Sequence, residues 1–184
     1  MKHAVARLGF ARAAVAVLVP ALTFPLASGL SAQGVAKSEQ PPKRLDVSCL
    51  TVPPPKIDGL IDDACWQAIQ PVGGFYQYDP VNGAKASEET FVWAAYDPDH
   101  LYFAFLMKDS QPEKIWAELT PRNEWENNDA IELILDAYND KRTSLTFAVN
   151  PRGVQKNSVE TIWRSEAVLR PDGWSAEMAI PFKS

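Results

Sequence analysis

Apolar residues occur along most of the chain in short segments that polar turns separate. Residues 90–96 (TFVWAAY) and residues 101–107 (LYFAFLM) flank the proline turn DPDH, and this arrangement predicts an antiparallel hairpin. Both segments are apolar at nearly every position rather than at alternate ones. We therefore expect central strands that are covered on both faces of their sheet.

The second half of the chain continues in the same way. Residues 130–136 (AIELILD) and 143–149 (TSLTFAV) predict another hairpin, NPRG predicts a turn, and RPDG leads into a last apolar segment, WSAEMAIPF. Only DDACWQAI favours a short helix, with Asp62 as its N-cap. Short strands between Pro, Asp and Gly corners predict an all-β fold, an antiparallel β-sandwich of the immunoglobulin or jelly-roll kind.

Two residues in the stretch NEWENNDAIELILD suggest a binding site. Side chains alternate faces along a strand, so Ile131, Leu133 and Leu135 predict the core face and Glu132 lies on the opposite face. A carboxylate there needs hydrogen-bond donors, which sugar hydroxyl groups would supply, and Trp125 in the preceding loop would stack on a sugar ring. The alternatives are that Trp125 caps the core and that Glu132 pairs with a Lys or Arg.

The first 33 residues predict a secretory signal peptide. A basic opening (MKHAVARLGFAR) precedes an apolar stretch (AAVAVLVPALTFPLA) and then small residues that suit cleavage near Gly29 or Ala32. A membrane anchor is the alternative, but the stretch is shorter than the ~20 residues that span a bilayer. Residues 34–44 suit a linker, and residues 45–184 form the expected domain. We therefore expect a periplasmic, outer-membrane-associated or secreted protein.

The charge and the cysteines refine this picture. Removal of residues 1–32 takes away three basic residues and no acids, so the net charge changes from −5 to −8. Such a surface repels nucleic acid and anionic lipid. The two cysteines, Cys49 and Cys65, both belong to the exported part, where a disulfide is permitted. A disulfide between them and a pair of buried thiols are both open at this point.

Five ordered segments together resemble carbohydrate-binding module family 9 and its relatives. The resemblance covers about residues 45–184 and rests on PKIDGLIDDACW, YDPDHLYFAFLMKD, EWENNDAIELILD, FAVNPRG and GWSAEMAIPF. It implies a non-catalytic β-sandwich that binds sugar chains, often at their reducing ends, and that accompanies xylan-degrading glycosidases. A similar domain stands at the N-terminus of exported proteins whose remainder resembles an outer-membrane barrel, and in that alternative sugar binding is lost or altered.

By position, the resemblance assigns sugar stacking to Trp125 and the acceptance of sugar hydroxyls to Glu132. Ala148 stands where the sugar-binding members carry an arginine, so one donor is missing. Their second stacking tryptophan lies in strands that would follow residue 184, so the expected sandwich is incomplete at its C-terminal end. Further candidate platforms are Trp116 and Trp163. A glycosidase or an outer-membrane barrel is the expected covalent partner, outside this chain.

Metal binding and catalysis receive less support from the sequence. Some family members bind calcium structurally, and five acids have the right oxygen donors: Asp58, Asp62, Asp97, Asp109 and Asp136. Each has a turn or capping explanation as well, so no ligand set is assigned. Glu132 and Asp136 would lie about 13 Å apart on one strand, too far for a glycosidase pair. Outside the signal segment His100 is the only histidine, in a hairpin turn, which leaves no material for a histidine-based zinc site.

Overall fold

The computed structural model describes residues 3–4, 13–16 and 43–183, and almost all of its regular structure is β. The described strands are β1 (His3–Ala4), β2 (Ala13–Ala16), β3 (Ser48–Cys49), β4 (Gln77–Asp79), β5 (Thr90–Tyr96), β6 (His100–Lys108), β7 (Ile131–Leu135), β8 (Leu145–Val149), β9 (Gln155–Asn157), β10 (Arg164–Arg170) and β11 (Gly173–Pro181). A short helix, α1 (Ala64–Gln67), and a 3-10 turn at Pro112–Lys114 complete the regular elements of the described part.

These strands form two main sheets that pack face to face. One has the order β10-β11-β6-β5-β3 and the other has the order β2-β7-β8-β9, while β1 pairs with β4. Neighbouring strands are antiparallel except β3 and β5, which are parallel. The predicted hairpins β5-β6 and β7-β8 are both present, and the prediction of an all-β sandwich is confirmed.

The main core lies between the two sheets. Phe103 and Phe105 of β6 and Met178 of β11 meet Leu133 of β7 and Phe147 of β8 in one buried cluster. A second cluster, with Cys65, Trp66 and Tyr102, covers the opposite face of the five-stranded sheet. Strands β5 and β6 are therefore covered on both faces, as their continuous apolar sequence predicts.

The buried carboxylate of Glu177 holds helix α1 and the turn that precedes it against the five-stranded sheet. Glu177 of β11 is 0% exposed. Its Oε2 accepts hydrogen bonds from the backbone N–H groups of Asp58 and Gly59 at 3.0 and 2.9 Å, and its Oε1 accepts one from Trp66 Nε1 at 2.7 Å. Burial raises the pKa of Glu177 to about 7, although the three donors act in the opposite direction.

One local prediction is wrong in this region, and one open alternative is decided. The N-cap of α1 is Asp63 rather than Asp62, and its side chain makes no capping bond because Asp63 Oδ2 accepts from the Lys56 N–H instead. Of the two states left open for Cys49 and Cys65, the structure has no bridge between them, and both are free thiols. Cys49 is exposed on β3, whereas Cys65 is directed into the second cluster, and burial raises the pKa of its thiol to about 11.

The predicted signal peptide falls mostly outside the described residues. Strands β1 and β2 belong to that segment, and β2 pairs with β7 at the edge of the second sheet. Cleavage near Ala32 would remove β2 and leave β7 as the edge strand, and the signal peptide stays a prediction. No helix within residues 3–4, 13–16 or 43–183 is long and apolar enough to cross a bilayer.

Candidate functional site

Three residues form a row on the outer face of the second sheet. Glu132 of β7 lies opposite Ala148 of β8, and Ala148 lies opposite Lys156 of β9. Because adjacent strands are about 4.8 Å apart, the acid and the lysine stand about 10 Å apart at the backbone. Ala148 contributes no more than a methyl group between them. The row therefore has an acceptor on one side and a donor on the other, with only the small, buried side chain of Ala148 between them.

Glu132 is partly buried and its carboxylate has no hydrogen-bond or salt-bridge partner among the described residues. Alternation along β7 places Ile131 and Leu133 in the core at 0% exposure, so Glu132 faces outward as the sequence predicts. Burial raises its pKa, and the positive charge of Lys156 lowers it in part. A half-buried carboxylate with free acceptor capacity is suited to hydroxyl donors of a ligand.

Trp125 lies in the loop before β7, and its ring is less exposed than stacking on a sugar requires. It is 7% exposed and packs in a small cluster with Ala130, Ala148 and Val154. The Lys156 ammonium lies 5.2 Å from the centre of its ring and donates to the Trp125 carbonyl oxygen at 3.2 Å. Stacking of a sugar on this ring requires Lys156 to move, and the stacking role stays a prediction.

The indole N–H of Trp125 is the buried polar side-chain atom that lacks a partner in the described part of the chain. A buried donor without a partner costs about 1–3 kcal/mol relative to a satisfied one. The loop residues Asn123 and Asn127 on either side have positive φ values of 67° and 55°, which asparagine adopts more readily than most residues other than glycine. The local energetic cost at Trp125 therefore lies in its unpaired indole N–H rather than in the backbone of the loop.

A network of two buried asparagines fixes this loop against the end of β8. The Asn128 Oδ1 accepts from the Glu118 N–H at 2.6 Å and from Asn150 Nδ2 at 3.0 Å. Asn150 Oδ1 in turn accepts from the N–H groups of Arg152 and Val154 in the NPRG turn. Asn128 and Asn150 are 2% and 0% exposed, so these bonds are shielded from water and hold the loop firmly.

The loop and the row line one cavity that is open to solvent. Its volume is about 540 Å³, within the range of ~300–1,000 Å³ that is usual for small-molecule sites. Both predicted site residues line it, together with Glu126, Thr146, Ala148 and Lys156. The structure thus brings Trp125 and Glu132 together, and it adds Lys156 as a cation on the strand next to Ala148.

The other candidate residues lie elsewhere. Trp163 is 4% exposed and packs edge-on against Phe147 at 5.3 Å, so it belongs to the core. Trp116 is 57% exposed but does not line the cavity. Asp129 Oδ2 accepts from the Trp116 N–H, and Asp136 accepts from the backbone of the turn that follows β7. Among the loop acids only Glu126 joins Glu132 at the cavity.

The acids considered for calcium do not fit a metal site. No group of three metal-binding side chains occurs among residues 3–4, 13–16 and 43–183. Asp58 pairs with Lys56 at 2.9 Å, and Asp97 accepts from the Tyr102 hydroxyl at 2.6 Å. Asp109 accepts from the Gln111 N–H within its own turn. These side chains act as turn and loop acceptors.

Comparison with solved structures agrees with the fold class. The chain is similar to a carbohydrate binding module family 9 from Caldicellulosiruptor kristjanssonii in complex with cellotriose, at 23% identity and a TM-score of 0.58, over 77% of this chain and 69% of that one. It is also similar to a family 9 module from the same organism in complex with glucose, at 19% identity and a TM-score of 0.52, over 76% and 70% of the two chains. No family model and no curated protein matches the sequence.

This likeness shows that the chain has the fold of carbohydrate-binding module family 9 domains. Sequence reasoning found Trp125, Glu132 and Ala148 of the cavity lining but missed Lys156 and Asn128, and it also missed Asn150, which supports the loop from outside the cavity. The asparagines were visible only as loop and turn residues in NND and NPRG. Lys156 has no signal of its own, because its position above Trp125 depends on how β9 pairs with β8.

Proposed function

We propose that this chain is an exported, non-catalytic carbohydrate-binding module for the ends of neutral plant-type oligosaccharides of the cellulose or xylan kind. The observation that carries the proposal is the single cavity in which Glu132, Lys156 and Trp125 meet. Acceptor and donor groups on opposite sides suit the hydroxyl groups of a sugar, which both donate and accept hydrogen bonds. The similar family 9 modules were solved with cellotriose and with glucose, which supports this class of ligand.

In the proposed complex each residue has a separate role. Glu132 accepts hydrogen bonds from sugar hydroxyls, Lys156 donates to sugar oxygens, and Trp125 forms the apolar wall. Hydrogen bonds to charged groups contribute about 1.5–3 kcal/mol each, but association itself costs several kcal/mol. We therefore expect dissociation constants of about 0.1–1 mM for a short oligosaccharide.

Calorimetric titration with xylo- and cello-oligosaccharides tests this proposal. Glu132→Gln keeps the shape but removes the charge, and Trp125→Phe keeps an aromatic wall while removing the indole. We expect both variants to bind at least about fivefold more weakly, which corresponds to a loss of ~1 kcal/mol. Trp116→Phe is the matched control, since Trp116 is exposed and lies outside the cavity, and its affinity should equal that of the unchanged protein.

A second candidate function is supported by the position of Lys156. Its ammonium lies 5.2 Å from the Trp125 ring and covers it, which supports a domain that no longer binds sugar. The N-terminal domain of an outer-membrane protein, which the sequence resemblance offers as the alternative, would be such a domain. If no oligosaccharide releases binding heat in the calorimetric titration, and circular dichroism shows that the protein is folded, the second function is favoured. Release of reducing sugar from xylan would contradict both, because neither involves catalysis.

Export is a separate part of the proposal. The basic, apolar and small-residue segments in residues 1–33 support it. Fusion of these residues to alkaline phosphatase, which is active only outside the bacterial cytoplasm, should give activity. Replacement of apolar residues in the fused segment by charged ones should abolish it, and unchanged activity would contradict the proposal.

A further inference from the structure

A second cavity of about 630 Å³ lies beside the candidate site. Asn157, the last residue of β9, lines both cavities. The two cavities are therefore neighbours at the end of β9, near enough for adjacent units of one chain-like ligand. The second cavity includes Arg122 and Lys183 and one acid, Glu160.

Arg122 is held in place by neutral groups rather than by an acid. Its Nε donates to Asn157 Oδ1 at 2.8 Å, and its Nη2 donates to the Thr161 carbonyl oxygen at 2.9 Å. A guanidinium has five N–H donors, so three remain available for a ligand. Neither Arg122 nor Lys183 forms a salt bridge within the part of the chain that the structure describes. The side chain is thus oriented in advance and its charge is not neutralised.

The walls of the second cavity combine this charge with an apolar surface. Ile162 is 88% exposed at the cavity, which offers contact to the apolar face of a sugar ring. With Glu160 included, the cavity has one excess positive charge on a protein whose net charge is −5. Salt screens charges that lie more than ~8–10 Å from a bound anionic group, so the acidic remainder of the surface repels such a group only weakly. The nearby charges of the cavity therefore dominate.

We propose that the second cavity is a subsite for a carboxylated sugar unit, a uronic acid, on the same glycan whose neutral unit occupies the first cavity. This inference rests on the proposed function for the first cavity. The planar fork of an arginine matches a carboxylate with two parallel hydrogen bonds, and a fixed fork loses little conformational freedom on binding. Lys183 adds charge without imposing geometry.

The test compares an unsubstituted xylotriose with a xylotriose that carries one glucuronic acid branch, by calorimetric titration. We expect the branched sugar to bind about tenfold more tightly at low salt, and this preference to shrink as salt rises from about 50 to 500 mM. Arg122→Gln should reduce the preference to about twofold or less. The matched control is Arg142→Gln, which removes the same charge in the turn after β7, outside both cavities, and should keep the preference.

The outcomes separate this inference from the proposed function. Equal affinity for the two sugars in the unchanged protein would overturn the second subsite and leave the proposed function standing. A preference that persists in Arg122→Gln, with Lys183→Gln also without effect, would overturn it as well. If neither oligosaccharide binds, the proposed function fails, and titration with free glucuronic acid then tests the second cavity alone. Binding of glucuronic acid that Arg122→Gln abolishes would support the subsite, and no binding would overturn it.

Discussion

Replacement of Glu177 by glutamine is expected to change how the stability of the domain depends on pH. Glu177 is fully buried, and burial raises its pKa from the ordinary 4.5 to about 7 against the effect of three N–H donors. A raised carboxyl pKa means that the folded state binds the proton more tightly than the unfolded state. The contribution of Glu177 to the unfolding free energy is therefore complete below pH 4.5 and is lost as the pH rises through about 7.

The magnitude follows from the same two values. Each pKa unit corresponds to about 1.4 kcal/mol, so the unchanged protein should lose about 3 kcal/mol of unfolding free energy between pH 4.5 and pH 8 through this group. Glutamine has nearly the same shape but does not titrate. The difference in unfolding free energy between the two proteins should therefore shift by about 3 kcal/mol over that range, in favour of the glutamine variant at high pH.

Urea denaturation at several pH values measures this difference, because titrating groups common to both proteins cancel. Carboxyl carbon NMR of the unchanged protein gives the pKa of Glu177 directly and does not need the variant to fold. Parallel stability curves, together with a Glu177 pKa near 4.5, would refute the reasoning. In that case the bonds from Trp66, Asp58 and Gly59 would fully offset the cost of burying the charge.

Three further predictions concern the site and the fold. Burial raises the pKa of Glu132, so sugar affinity should fall on acidification with a midpoint above 4.5, and Glu132→Gln should remove this dependence in calorimetry. Lys156→Met should weaken sugar binding by about tenfold through loss of a charged donor; tighter binding would instead mean that Lys156 obstructs Trp125. Gly173→Ala should lower the unfolding free energy measured by urea denaturation by more than about 3 kcal/mol. The reason is that φ of Gly173 is +139° and an added Cβ would lie 2.0 Å from the Met107 carbonyl oxygen. A smaller loss would show that the β10-β11 turn relaxes.

The hairpins were predictable because their signals are local. The turns DPDH and AYNDKR and the apolar segments beside them predict β5-β6 and β7-β8 without knowledge of the rest of the chain. The face of Glu132 was predictable for the same reason, since alternation needs only the core positions Ile131 and Leu133.

The state of Trp125 was not predictable, because it depends on contacts between residues far apart in sequence. Its burial depends on Val154 and Ala148, and its ring is covered by Lys156 from a different strand. The state of Cys49 and Cys65 was left open by the sequence for a related reason. Spacing alone does not reveal that one side chain is in a buried cluster and the other on an exposed strand.

The most direct measurement of the central claim is an amide NMR titration of the protein with cellotriose. We expect progressive chemical-shift changes at Glu132, Ala148 and Lys156 and in the Trp125 indole N–H, which line one cavity. Amides in the middle of the other sheet, such as those of Ala104 and Ala176, should not move. Shifts confined to that other sheet, or no shifts at several millimolar cellotriose, would contradict the assignment of a sugar site to this cavity.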